Sequence, residues 1–214
     1  MTAPFVIAVD GPAASGKGTI ATRLGAAYGL PVLDTGLLYR AVGVLALRAG
    51  ADLDDEAAAA AVARGLSADL LDDPEFRTRG AGEAASRVAV HPAVRAALLE
   101  MQQAFAARAG GSVLDGRDIG TVIAPHAPAK LYVTASPQVR AERRWKQLAG
   151  EGVAYDEVLA DIRKRDARDG GRENAPMRQA DDAVLLDTSE MTIEQATDAA
   201  RRIVEAARAR WVNS

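Results

Sequence analysis

The chain has 214 residues, 49% hydrophobic and 26% charged, with a formal net charge of −3; it can fill one core, and it lacks the charge that draws proteins to nucleic acid or membrane surfaces. It contains no cysteine, which excludes disulfides and thiolate metal sites. The first apolar run, residues 5–9, is too short for a signal or membrane segment and ends in a carboxylate, so a cytoplasmic protein is expected.

Phe5, Val6, Ile7, Ala8 and Val9 read as a buried strand that runs into Asp10. A loop of small residues follows: Gly11, Pro12, Ala13, Ala14, Ser15 and Gly16, then Lys17, Gly18 and Thr19. Ile20, Leu24 and Tyr28 fall at helical spacing, and Gly29 stops the helix. Strand, loop, lysine and helix start together form a phosphate-binding P-loop. Glycines let backbone N–H groups turn inward, the helix start adds unpaired donors, and Lys17 supplies charge for the β- and γ-phosphates. The strict pattern has Ser or Thr directly after the lysine to hold Mg²⁺; here that place is Gly18 and the hydroxyl comes one later, at Thr19. The ligands of a metal ion are therefore left open. The competing reading, a glycine-rich turn with no ligand, fits the strand and helix context poorly.

Pro31, Val32 and Leu33 form a short strand ending in Asp34, and a helix runs on to Gly50. Thr35, Tyr39 and Arg40 sit at its opening, where open α/β sheets place their ligands. Tyr39 reads equally as a core aromatic; Arg40 is odd there, since a helix start does not favour positive charge. Residues 51–90 are weakly patterned: an Ala-rich helix closed by Gly65, then LDDPEFRTRGAGE, which reads as loop. Pro92 begins an amphipathic helix with Val94, Leu98, Met101 and Phe105 on one stripe and Arg95 beside it. His91 and His126 neighbour prolines and read as turn residues rather than ligands.

Ser112, Val113 and Leu114 form a strand running into Asp115-Gly116-Arg117-Asp118, and Lys130 to Thr134 form the next. Asp115 takes the place of a Walker-B-like carboxylate, or of a turn aspartate. Ser136-Pro137 opens a helix on which Arg140 and Arg144 are four apart. Like charges at that spacing repel, so either an anion sits between them or the face is solvated. After the 150–154 loop, Val158 and Ile162 begin a helical stripe that Arg165 and Asp169 continue, as if leaving a core for a polar cleft. Gly170-Gly171 ends that helix and Arg172 follows; a mobile lid and a salt-bridged helix end both fit. The chain closes with a strand over 183–186 and a long helix whose capping box is Thr192 and Gln195.

Strands alternating with helices predict an α/β, three-layer P-loop fold: a five-stranded parallel sheet with helices on both faces. The ordered set GPAASGKGT, LDTGLLYRA, AASRVAVHPAVR, LDGRDIGTV, AERRW and RDARDGGR resembles the bacterial cytidylate kinase family, over most of residues 5–190. The resemblance implies a single domain over 1–214, with a core of 1–50, 91–149 and 176–214, an acceptor-side insertion near 51–90 and a short lid near 150–175. It implies ATP and Mg²⁺ as cofactors, CMP and dCMP as acceptors, no nucleic-acid or membrane partner, and a monomer. Residues 11–19 would bind ATP phosphates; Thr35, Tyr39, Arg40 and Arg117 the acceptor phosphate. Ser86, Arg95, Asp118 and Arg172 would face the base, Arg165 and Asp169 the sugar, and Arg140 and Arg144 the transferring phosphoryl. Family members usually carry a longer insertion between the positions of Gly65 and Phe76, which is shortened here. A kinase for another small acceptor and a non-catalytic ATP-binding regulator stand as alternatives. A GTPase-type switch does not, because neither N-K-x-D nor D-x-x-G occurs.

Overall fold

A computed structural model describes residues 4–150 and 152–212. Residues 1–3 and 213–214, the ends of the span read as one domain, and Glu151, in the loop read over 150–154, lie outside the described residues. In chain order the elements are β1 (Val6–Asp10), α1 (Lys17–Tyr28), β2 (Val32–Asp34), α2 (Thr35–Arg48), α3 (Glu56–Arg64), α4 (Arg79–Val88), α5 (Pro92–Ala106), β3 (Ser112–Gly116), β4 (Ala129–Thr134), α6 (Pro137–Gln147), α7 (Tyr155–Gly170), β5 (Val184–Asp187) and α8 (Ile193–Val212). Tight helical turns span Ala68–Asp72 and Pro74–Arg77, and a wide one spans Ile119–Ile123.

The strands form the predicted five-stranded sheet, in the order β2-β3-β1-β4-β5. β1 runs parallel to β3, with Ala8 opposite Leu114, and to β4, with Ala8 opposite Lys130; β4 runs parallel to β5, with Val133 opposite Leu186. Parallel neighbours cannot be joined by a hairpin, so helical segments carry the chain from strand to strand.

The chain divides into two units, residues 1–33 with 106–214, and residues 34–105. The first is built on the sheet. β1 is buried at every position, which is why it reads as a continuous apolar run rather than an alternating one. Ile7, Val9, Leu24, Val113, Leu131, Val133 and Val204 belong to its core. α6 and α7 pack a smaller core of Ala141, Leu148, Val158 and Ile162. α8 opens with the predicted capping box, Gln195 N–H donating to Thr192 Oγ1 at 3.2 Å and Thr192 N–H to Gln195 Oε1 at 2.9 Å.

The second unit is helical, with Leu38, Val42, Phe76, Val88, Val94 and Leu98 in its core. The stretch read as loop is more ordered than expected. Asp73 opens the Pro74–Arg77 turn by accepting the Glu75 N–H, and Thr78 caps α4 by accepting the Ala81 N–H. Gly80 and Gly82 give α4 low intrinsic helix propensity; burial of Ala81, Ala84, Ala85 and Val88 overrides it. α2 and α4 meet almost backbone to backbone: a Cβ on Gly43 would lie 2.7 Å from the Ala84 Cβ and 2.9 Å from its carbonyl carbon.

Gly43→Val is expected to destabilise the protein by about 1–3 kcal/mol through overpacking. Gly80→Ala, whose added Cβ meets nothing within 4 Å, should leave it as stable or slightly more so. Urea unfolding of both variants checks this; a midpoint for Gly43→Val equal to that of the parent would show that α2 and α4 part without cost.

Candidate active site

Between β1 and α1 the backbone takes conformations that few residues adopt. Gly11 has φ 141°, and a Cβ there would run into the Val133 carbonyl. Ala14 is left-handed at φ 59° despite its side chain, and Gly16, at φ 91°, is the left-handed residue directly before α1. Holding a non-glycine residue so costs about 1–2 kcal/mol and marks a loop whose shape serves a purpose. Such turns gather N–H groups into an anion-seeking concavity, and α1 has no acidic residue in its first turn to occupy its positive end. Lys17 opens α1 with its Nζ 3.6 Å from Asp115 Oδ1. At Gly18, where the strict pattern has Ser or Thr, a Cβ would lie 3.1 Å from Asp115 Oδ2, in tight contact with that carboxylate. Ser15 is fully buried, its Oγ without a hydrogen-bond partner among the described residues. Pro12 is buried and Thr19 exposed.

The loop is braced from behind. Thr188 Oγ1 donates to Ser15 O at 3.0 Å, Arg143 Nη1 to the same oxygen at 3.4 Å, and Arg140 Nη1 to Ala13 O at 3.3 Å. Arg140 is nearly buried and grips Asp166 with two bonds, at 3.0 and 2.6 Å, while its Nε donates to Ala135 O. The charge on this face of α6 is thus met by a carboxylate of α7. Arg144 turns to Gln147 Oε1 at 3.3 Å.

A second cluster forms at Asp169, which is 2% exposed. Arg117 Nε donates to its Oδ2 at 3.2 Å, Arg172 pairs with its Oδ1, and Arg165 Nε lies 3.9 Å from Oδ2. Burial opposes ionisation of Asp169, but the charges of Arg117, Arg172 and Arg165 more than offset it and hold its carboxyl below the ordinary range. Three guanidinium groups around one carboxylate leave a surplus of positive charge, suited to an anion. Asp118, next to Arg117, is buried at the head of the wide turn Ile119–Ile123.

In the second unit, Asp34 caps α2 by accepting the Leu37 N–H at 3.2 Å, and its other oxygen takes Arg40 Nη2 at 2.5 Å. That pair explains a positive charge at a helix start. Thr35 is buried as the first residue of α2. Tyr39 and Arg95 come together, the guanidinium 5.7 Å from the ring centre, a cation–π contact. Ser86 is buried on α4. His91 Nε2 bonds to Leu53 O at 2.8 Å, in keeping with a turn residue.

Among the described residues no three His, Cys, Asp or Glu side chains gather to hold a metal ion. Mg²⁺ keeps several waters and takes phosphate oxygens with only one or two protein groups; the Asp115 carboxylate, 3.6 Å from Lys17 Nζ, fits such a role, while Thr19, two residues after Lys17, is exposed. Four residues were given no role by sequence reasoning: Asp10, Arg143, Asp166 and Thr188. Arg143 and Asp166 had a weak signal, lying in the charged runs; Thr188 had none.

A family model described as Cytidylate kinase matches residues 7–206. A relative from Caulobacter vibrioides described as cytidylate kinase is 76% identical over 208 residues, 96% of this chain and 98% of the relative. Another so described, from Xanthobacter autotrophicus, is 65% identical over 207 residues, 96% of this chain and 99% of the relative. The crystal structure of an uncharacterized protein from Eubacterium ventriosum has a TM-score of 0.57 at 14% identity, over 94% of this chain and 99% of that one, a likeness of fold alone.

Asp169 yields a pH prediction. Its folded-state pKa is depressed, so its contribution to stability is complete above the ordinary carboxyl value of about 3.9 and is lost as pH falls through the folded value. Asp169→Asn breaks a buried ionic cluster and should cost roughly 3–5 kcal/mol. The gap in urea midpoint between parent and variant should stay constant from about pH 7 to about pH 5 and shrink below about pH 4. A gap of the same size at about pH 3 would mean that Asp169 is not held as a carboxylate by its arginines.

Proposed function

The chain belongs to the cytidylate kinase family, and from that premise we propose how its residues carry the transfer of a phosphoryl group from ATP to CMP. The activity follows from the family: the chain is a phosphotransferase with ATP as donor and CMP as acceptor. dCMP is proposed as a second acceptor.

The observation that carries the division of roles is the loop before α1. Left-handed Ala14 and Gly16 lead into Lys17 at the positive end of that helix, which is what a polyphosphate needs from a backbone. Residues 11–19 hold the ATP phosphates, and Lys17 meets the charge that develops as the γ-phosphoryl moves. Arg140 and Arg144 serve the same phosphoryl. Thr35, Tyr39, Arg40 and Arg117 hold the acceptor phosphate; Ser86, Arg95, Asp118 and Arg172 read the base; Arg165 and Asp169 orient the sugar. The acceptor oxygen is a phosphate oxygen, already ionised near neutral pH because the second phosphate pKa is about 6. No general base is needed, and the reaction asks for alignment and positive charge around a loose transition state. Asp115, with Thr19, would hold Mg²⁺ beside the ATP phosphates, where the ion would supply charge neutralisation. We further propose a monomer in the cytoplasm; among the described residues no helix is long and apolar enough to cross a membrane.

Cytosine offers an N4 amino donor and an N3 acceptor, and uracil reverses both. A carboxylate cannot donate near neutral pH and an arginine cannot accept. Asp118 and Ser86 toward N4, with Arg95 toward N3, would satisfy cytosine and mispair uracil, giving discrimination on the order of a hundredfold.

Lys17→Ala should lower kcat by on the order of a hundred- to a thousandfold with the fold retained by circular dichroism; activity within about tenfold of the parent would remove Lys17 from the chemistry. Asp118→Asn should narrow the CMP-to-UMP ratio of kcat/KM, since an amide can turn its NH₂ toward O4. An unchanged ratio in a folded variant would take base reading away from Asp118.

A further inference from the structure

Asp10 ends β1, one residue before the phosphate loop, and is 5% exposed. Its carboxylate does not serve that loop. Oδ1 accepts the Ile119 N–H and Oδ2 the Gly120 N–H, both at 2.8 Å. Those amides open the wide turn Ile119–Ile123, directly after Arg117 and Asp118. The first N–H groups of a helical turn have no partner within it, and an aspartate just before the turn is the usual cap. Asp118 holds that place yet makes no side-chain cap bond. Asp10 does the capping from another strand instead, so the Asp118 carboxylate is not used for it.

Gly120 belongs to the same device. A Cβ there would lie 3.3 Å from Asp10 Oδ2 and 3.1 Å from Lys130 Cδ. Lys130 cannot yield easily, because its Nζ is held by Pro125 O at 2.6 Å and by Asp182 at 2.8 Å. A side chain at residue 120 would therefore press on the carboxylate that holds the two amides. In register, Asp10 lies opposite Gly116 of β3 and Tyr132 of β4. Asp115 and Asp118 are the charged groups that act on it, and the titratable Tyr132 feels its charge.

We propose that Asp10 is a positioning residue for the acceptor: by bonding Ile119 and Gly120 it sets the direction in which Arg117 and Asp118 leave β3. This rests on the reading that Arg117 and Asp118 meet the acceptor. Burial pushes the Asp10 carboxyl up to about 7; the two amide bonds oppose that push, and Asp118 and Asp115 add to it. The amides are thus what favour the acceptor-only form that the turn requires.

The test is a split between the two Michaelis constants. Asp10→Asn keeps the shape but turns an NH₂ toward one of the two amide donors, so one bond is lost. The KM for CMP at saturating ATP should rise about tenfold or more, while the KM for ATP at saturating CMP moves less than about threefold. The ATP side is spared because the phosphate loop is braced by Arg140, Arg143 and Thr188. Gly120→Ala crowds the same carboxylate with Asp10 intact, and should raise the KM for CMP about threefold or more. A role in folding alone would lower the active fraction, hence kcat, and move neither KM. An unchanged KM for CMP in Gly120→Ala and in folded Asp10→Asn overturns the proposal, as does a KM for ATP that rises as much as that for CMP. If Asp10→Asn does not fold, Gly120→Ala decides alone. Arg117→Ala, measured beside them, separates the two ideas. Should it leave the KM for CMP unchanged, the acceptor reading fails and this proposal with it. Should it raise that KM while the other two variants do not, the proposal alone fails.

Discussion

β1 is buried at all five positions, and the way the chain leaves it constrains everything at that edge of the sheet. A strand with no water beside it must hand its polar groups to protein partners. Asp10 does so with the Ile119 and Gly120 amides. The next residue must pass the Val133 carbonyl, and only a glycine fits there. Beyond that exit come the left-handed turns at Ala14 and Gly16, then Lys17 at the start of α1, with Gly18 facing Asp115.

Charge is handled by the same logic. The arginines most buried in the first unit are not left to wait for a ligand: Arg140 holds Asp166, while Arg117 and Arg172 hold Asp169. A buried guanidinium without a carboxylate would cost several kcal/mol. With one, it stands oriented in advance, which would lessen the ordering left for the phosphate contact proposed above. The excess of arginine over carboxylate at Asp169 keeps the cluster attractive to anions even though its members are paired.

The second unit solves a packing problem with small residues. Gly43 and Ala84 let α2 and α4 touch, and alanines at 59, 60, 63, 81, 84 and 85 fill the remaining space. An Ala-rich, glycine-interrupted stretch that looks weakly specified is therefore a closely packed helical layer. Relatives at 76% and 65% identity are matched over 98% and 99% of their own length, so they are close to this chain in size.

What the sequence by itself determined is what depends on neighbours within a few residues: the apolar run of β1, the Gly–Lys helix start, the helices of period 3.6, the Thr192–Gln195 cap, and the alternation that implies a parallel sheet. The ordered motifs were enough for the family. What only the tertiary structure decided are pairings across long separations. Asp10 meets residues 109 and 110 positions away, Arg117 meets Asp169 at 52, and Arg140 meets Asp166 at 26. From spacing alone, Arg140 and Arg144 read either as a face with an anion between them or as a solvated one, and nothing local told that Arg140 pairs with Asp166 of α7 while Arg144 turns to Gln147. α4 was missed because its propensity is poor and its burial good, and burial is not a local property. Which side chains face one another follows from the strand order β2-β3-β1-β4-β5, and no local periodicity carries that order.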